Sequence, residues 1–169
     1  IHFHSYHKHF TRKAMERKVI ILSNKDAKNQ VIALQNLYPD LKIILESEEG
    51  IILKGTINKT RSYKNYPIII KASLRISIPT NTNKFPSVFD EDETIDKNYQ
   101  HRNSNGELCL ATNFDLRLHF LNGFNLVQWM LDFVEPYYYS YKYYCDFGVF
   151  PYGDRAHGWN GAMQAYQEF

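Results

Sequence analysis

Cysteine is scarce in this chain. Cys109 and Cys145 are the only two in 169 residues. Two thiols so far apart do not form a disulfide framework, so both are expected reduced and the cytoplasm is the natural compartment. Net charge is also scarce. Twenty Lys and Arg against eighteen Asp and Glu leave +2, and no dense basic run exists, which argues against nucleic acid or an anionic membrane as partner. No apolar stretch reaches the roughly 18 residues of a membrane span, and no signal peptide is evident. Glycine-rich phosphate loops and βαβ alternation are missing, which excludes P-loop and Rossmann nucleotide binding. There is no Cys-x-x-Cys, no His-x-x-x-His and no deaminase-type His-x-Glu with Pro-Cys-x-x-Cys, so no zinc site and no cofactor are expected.

Aromatic residues are abundant instead, with thirteen Tyr and eleven Phe. Tyr137, Tyr138, Tyr139, Tyr141, Tyr143 and Tyr144 crowd into eight residues. Such rings can cover apolar surface while their hydroxyls reach water, or they can face a partner.

The opening "IHFHSYHKHFTRKA" carries His2, His4, His7 and His9 and begins on Ile1. Residues 1–14 read as an expression-derived or disordered tail, although His-x-His can bind metal. Met15 is a candidate natural start, and residues 15–169 read as a single domain.

Ala27, Val31, Leu34 and Leu37 recur at helical spacing. Ser23 or Asn24 can cap that helix and Pro39 stops it, which predicts about fourteen residues. Strands follow at 41–47 and 51–58, around a Glu-Glu-Gly hairpin signal. In 67–79, Ile68, Ile70, Ala72, Leu74, Ile76 and Ile78 alternate with mostly polar neighbours, as in an antiparallel strand packed on one side. "FPSVFDEDE" can hold a short edge strand. Beyond residue 112 the period becomes helical, with Phe124, Val127, Leu131 and Val134 on one face and Asn122 or Asn125 as cap. Pro136 can open a further, tyrosine-rich helix. Cys145, near its end among Tyr143, Tyr144 and Phe147, reads as a packed core thiol. "AMQAYQEF" reads as a terminal helix. The fold class expected is α+β: an N-terminal helix, an antiparallel meander sheet and C-terminal helices.

The chemistry centres on "HRNSNGELCL", residues 101–110. A lone cysteine is commonly a small hydrophobe. Here Ser-Asn-Gly predicts a turn just before Cys109, and Leu108 and Leu110 can anchor the segment. The Asn103 amide can donate to a developing oxyanion, a contact worth roughly 3 kcal/mol in a dry, organised site. His101 can act as a base or pin the loop. "GDRAHG" offers Asp154 and His157, which with Cys109 would make a Cys-His-Asp arrangement, or else cap a turn and bind backbone. Asp115 is a weaker candidate whose expected job is capping.

"HRNSNGELCL" resembles the active-site segment of ubiquitin-conjugating enzymes, which runs His-Pro-Asn, a short turn often with Asn-Gly, then a hydrophobic residue, Cys and Leu. The order of segments over residues 25–135 is similar too, including the Pro-containing "IPTNTNKFPSV". The tail "FPYGDRAHGWNGAMQAYQEF" is similar to the bacterial branch encoded in CBASS anti-phage operons beside a cGAS-like nucleotidyltransferase. The resemblance implies a UBC-like fold and a cysteine acyltransferase. Cys109 would carry a protein C-terminus as a thioester, with His101 shaping the loop and Asn103 supporting it and the oxyanion. It implies partners as well: the C-terminus of the cGAS-like enzyme or a ubiquitin-like protein as donor, and a target-protein lysine as acceptor. Two departures stand out. Arg102 replaces the proline, and the span from Asn103 to Cys109 is about two residues short. No adenylation motif is present, so donor activation would come from elsewhere. A non-catalytic binding module and a Cys-His isopeptidase using His157 and Asp154 are the alternatives.

Overall fold

The computed structural model describes residues 20–152. The expected N-terminal tail, the terminal helix and the Asp154/His157 pair lie outside the described residues.

Helix α1 (Asn24–Leu37) opens on Ser23, whose hydroxyl accepts the Asp26 N–H and satisfies one orphan donor of the first turn. Its apolar stripe buries Ala27, Val31 and Leu34. Leu37, expected on that stripe, is 44% exposed at the last turn, while the following Tyr38 is buried in its place.

Four strands follow as an antiparallel meander in the order β1 (Lys42–Glu46), β2 (Gly50–Tyr63), β3 (Tyr66–Pro79) and β4 (Ser87–Asp90). The β3 alternation holds throughout: Ile68, Ile70, Ala72, Leu74, Ile76 and Ile78 all face the core. β2 runs to Tyr63, beyond the polar stretch where the hydropathy pattern fades, because β3 offers a partner along its full length. Gly55 permits the turn before β1 to lie on the sheet; a Cβ there would sit 2.0 Å from the Asp40 carbonyl oxygen.

After β4 comes the Cys109 segment, then a short helix α2 (Asn113–His119). The helical period from Leu126 to Phe147 contains α3 (Leu126–Trp129), a π-helical turn (Met130–Val134) and α4 (Glu135–Phe147). The junction residues Trp129, Met130, Val134 and Glu135 are all right-handed helical. Pro136 therefore does not start a separate helix; it sits just past a π turn in a continuous one. The core-facing residues are Leu126, Trp129, Met130 and Val134. The expected face of Phe124, Val127 and Leu131 is only partly buried. Asn125 caps this helix, so Phe124 precedes it, and the large Trp129 ring takes the centre.

The π turn meets a covalent limit at Pro136. The Glu135 N–H reaches back to the Met130 carbonyl. The Leu131 carbonyl would then look to residue 136, but proline has no N–H. Arg61 of β2 supplies the missing donor, Nη2 to Leu131 O at 2.9 Å. Its Nη1 meets the Glu135 carboxylate at 3.0 Å. Glu135 is 3% exposed and also accepts the Tyr38 hydroxyl. Burial first, and the Glu135 bond second, push the Tyr38 phenol well above its ordinary range. One guanidinium thus ties α1, β2 and the long helix together.

Arg61→Met removes both bonds and strands a buried carboxylate. It is expected to cost about 2–4 kcal/mol in urea unfolding, at the lower side of the usual range because Arg61 is partly exposed. Glu135→Gln, whose single amide oxygen can still accept from Arg61 while its NH2 donates to the Tyr38 oxygen, is expected to cost less than half of that. Equal losses in the two variants would contradict the assignment.

Candidate functional site

The turn predicted by Ser-Asn-Gly forms. The Gly106 N–H donates to Asn103 O at 2.9 Å, and Gly106 adopts φ +86°. The Asn105 side chain accepts the Glu107 N–H at 3.0 Å. Two rungs flank the turn: Asn103 N–H to Glu107 O and Cys109 N–H to His101 O, both 2.8 Å. Arg102 pairs with Leu108 between them. Residues 101–109 are therefore a tight antiparallel hairpin, with His101 directly across from Cys109 and Asn103 across from Glu107.

Side chains alternate across such a ladder. Leu108 points inward and is 3% exposed, while its N–H extends the sheet past β4 by donating to Val88 O at 2.9 Å. Glu107 pairs with Phe89 and accepts the Ser87 hydroxyl at 2.6 Å. Arg102 tucks beneath and donates from Nη1 to Ile95 O at 3.2 Å. Cys109, on the opposite face from Leu108, is exposed. The hairpin presents the thiol while its backbone is held on both sides.

A second support comes from α4. The Tyr137 hydroxyl donates to the same His101 carbonyl, at 2.9 Å. Tyr138 donates to Asp90 Oδ1 at 3.2 Å, and Asp90 Oδ2 accepts the Ile95 N–H at 3.0 Å. Both phenols are pushed far above their ordinary range, chiefly by burial. Asp90 is 7% exposed; burial first, with the Ile95 N–H offsetting it and Asp92 adding to it, raises its carboxyl. The tyrosines therefore do more than cover apolar surface: Tyr137, Tyr138 and Tyr139 are buried, and their hydroxyls bond inside the protein.

Beside the thiol stands an aromatic wall. The His101 ring lies 5.3 Å from Tyr99 and 5.6 Å, edge to face, from Phe150. Tyr141 meets Tyr99 edge to face at 4.8 Å, and Tyr144 stacks on Phe150 at 4.6 Å. Ring packing of this kind fixes the His101 side chain in place.

The Cys109 thiol is raised above the ordinary cysteine range, first by loss of water around the sulfur and then by the Glu107 carboxylate. The residue is exposed, yet the surrounding protein removes enough water to disfavour the charged form. At neutral pH the thiolate is therefore scarcer than in an ordinary cysteine. Of the other sequence candidates, Asn103 lies one rung out toward the turn, roughly 6–7 Å further along the strand than the His101–Cys109 pair. Its backbone closes the turn on both sides. Asp115 accepts the Thr112 hydroxyl at 2.7 Å while its own N–H donates back at 3.1 Å, which caps α2. Cys145, expected in the core, is exposed on the outer side of α4. Sequence reasoning missed Tyr137, Arg102 and Glu107 as parts of this site. Capping was the job expected of Asp115, and it holds; the short helix α2 that it opens was not foreseen.

Among the described residues no group of three or more His, Cys, Asp or Glu side chains is placed to hold a metal ion, and no helix is long and apolar enough to cross a membrane. Comparison with family models, curated proteins and solved structures gives no match to this chain.

Alkylation of Cys109 by iodoacetamide is expected to accelerate with pH and to level off only above the ordinary cysteine range near 8.5. Glu107→Gln removes the neighbouring negative charge, favours the thiolate, and is expected to raise the rate at pH 7.5 about two- to fivefold. A plateau below pH 8, or a slower Glu107→Gln, would contradict the stated causes.

Proposed function

We propose that Cys109 accepts a protein C-terminus as a thioester and passes it to an amine, in the manner of a ubiquitin-conjugating enzyme of UBC-like fold. The observation that supports this most directly is the hairpin itself. An exposed thiol, anchored through its own N–H to His101, follows an antiparallel meander and precedes the helices, which is the order the resemblance implies.

In this reading the Cys109 thiolate attacks the carbonyl of an activated donor and expels the activating group. A lysine amine then attacks the thioester carbonyl, the sulfur leaves as thiolate, and the amine proton passes to a base. His157 oriented by Asp154 is the proposed base, and Asn103 the proposed oxyanion donor. His101 acts through the backbone as well as its ring, since its carbonyl holds the Cys109 amide. The raised thiol leaves less thiolate for capture and makes the sulfur a poorer leaving group in transfer. The donor is proposed to be the C-terminus of a cGAS-like nucleotidyltransferase or of a ubiquitin-like protein, in a cytoplasmic anti-phage setting.

A second reading has a specific observation in its favour. A thiol raised above its ordinary range, with Arg102 where the family has proline, fits a binding module on the same scaffold that no longer transfers.

Chemically activated donor separates the two. The full chain, mixed with the donor tail made as a C-terminal alkyl thioester, is expected to gain the mass of the tail and lose it on adding dithiothreitol. Cys109→Ser is expected to give a thiol-resistant ester and Cys109→Ala no adduct. An adduct persisting in Cys109→Ala, or none in the unaltered chain, would sink the conjugating reading.

A further inference from the structure

We propose that the open edge of β1 is a contact surface for a second copy of this chain, with the two strands pairing antiparallel across Ile44. β1 stands at the end of the sheet order. All five of its residues, Lys-Ile-Ile-Leu-Glu, are exposed. Ile43 is 42% exposed, Ile44 55% and Leu45 50%. Edge strands are blunted by shortness, charge, proline or bulges; β1 is short and bulged, but its middle carries three consecutive aliphatic side chains.

The neighbouring helix enlarges the patch. Asn24 donates to Ser47 O at 3.2 Å and Gln35 to Leu41 O at 2.8 Å, so α1 holds both ends of the strand by its flanking carbonyls. Lys28 reaches Glu46 at 2.6 Å. Lys28, Ile32 and Gln35 share one helical stripe, which sets Ile32 beside the middle of β1. Ile32 is 60% exposed. An apolar strip rimmed by charges results, the usual layout of a small interface.

The charges at its ends choose the occupant. An antiparallel self-pair centred on Ile44 sets Lys42 of each copy opposite Glu46 of the other, twice, by the two-fold symmetry. Isoleucine and leucine meet between them. A parallel self-pair would set like charge on like. Lys42 makes no ion pair with any described residue, and Glu46 remains 41% exposed beside Lys28. The register of β1 on β2 shifts between Ile43 and Leu45, so Ile44 is the extra residue of a bulge and has no partner in β2.

The interface is small, under about 1,200 Å² in all, so the dimer is weak and concentration-dependent. Sedimentation velocity on the full chain, from about 5 µM to about 500 µM, spans the affinities typical of such contacts. Dimer is expected to appear across that range. Ile44→Lys should abolish it, and Lys42→Glu should weaken it at least about threefold by setting like charges opposite each other. Both positions are exposed, so unchanged melting temperatures will show that the variants fold. A single monomeric species throughout, or a dimer that Ile44→Lys leaves intact, would overturn the proposal.

Discussion

Inside the π turn the Leu131 carbonyl looks to residue 136, and Pro136 has no N–H to give it. The Arg61 guanidinium is the protein's answer. Much of the architecture follows from it. The extra residue in the turn rotates what comes next by about 100° relative to a plain α-helix. From there Glu135 meets Arg61 and Tyr38, while Tyr137 and Tyr138 reach the Cys109 hairpin and Asp90. Five of the six residues from Val134 to Tyr139 are buried. The helix is thus clamped on one side by an ion pair and on the other supports the candidate site.

That support is indirect in an informative way. Tyr137 does not touch chemistry in this account; it bonds a backbone carbonyl, and the same carbonyl holds the Cys109 amide. An exposed sulfur on a pinned backbone suits a thiol that must meet a macromolecule, since the partner approaches from solvent and the geometry must not yield. The raised thiol pulls the other way by keeping the thiolate scarce.

How much of this could be read from the sequence depends on the range of the forces involved. Local signals were legible: the Ser23 cap, the β3 alternation, the Ser-Asn-Gly turn and the short strand at 87–90 all stand in the structure. The exposure of Leu37 and Cys145 was not, because helical periodicity names a face without saying where tertiary cover ends. The π turn was missed for a similar reason. Proline in a helical pattern reads as a break, and only a distant Arg61 makes continuity affordable. At the site, Cys109 and His101 were visible as a motif, but their pairing across a hairpin arises from hydrogen bonds no motif encodes. Tyr137, twenty-eight residues beyond Cys109, carried no signal that it would reach back.

The central claim is that the Cys109 backbone is fixed while its sulfur is open. Native-state amide hydrogen exchange at Cys109 tests it directly. The Cys109 amide is expected to be protected to nearly the same degree as those of β3, in a protein whose Cys109 sulfur still reacts with a small electrophile without unfolding. A Cys109 amide that exchanges as fast as an open loop would contradict it.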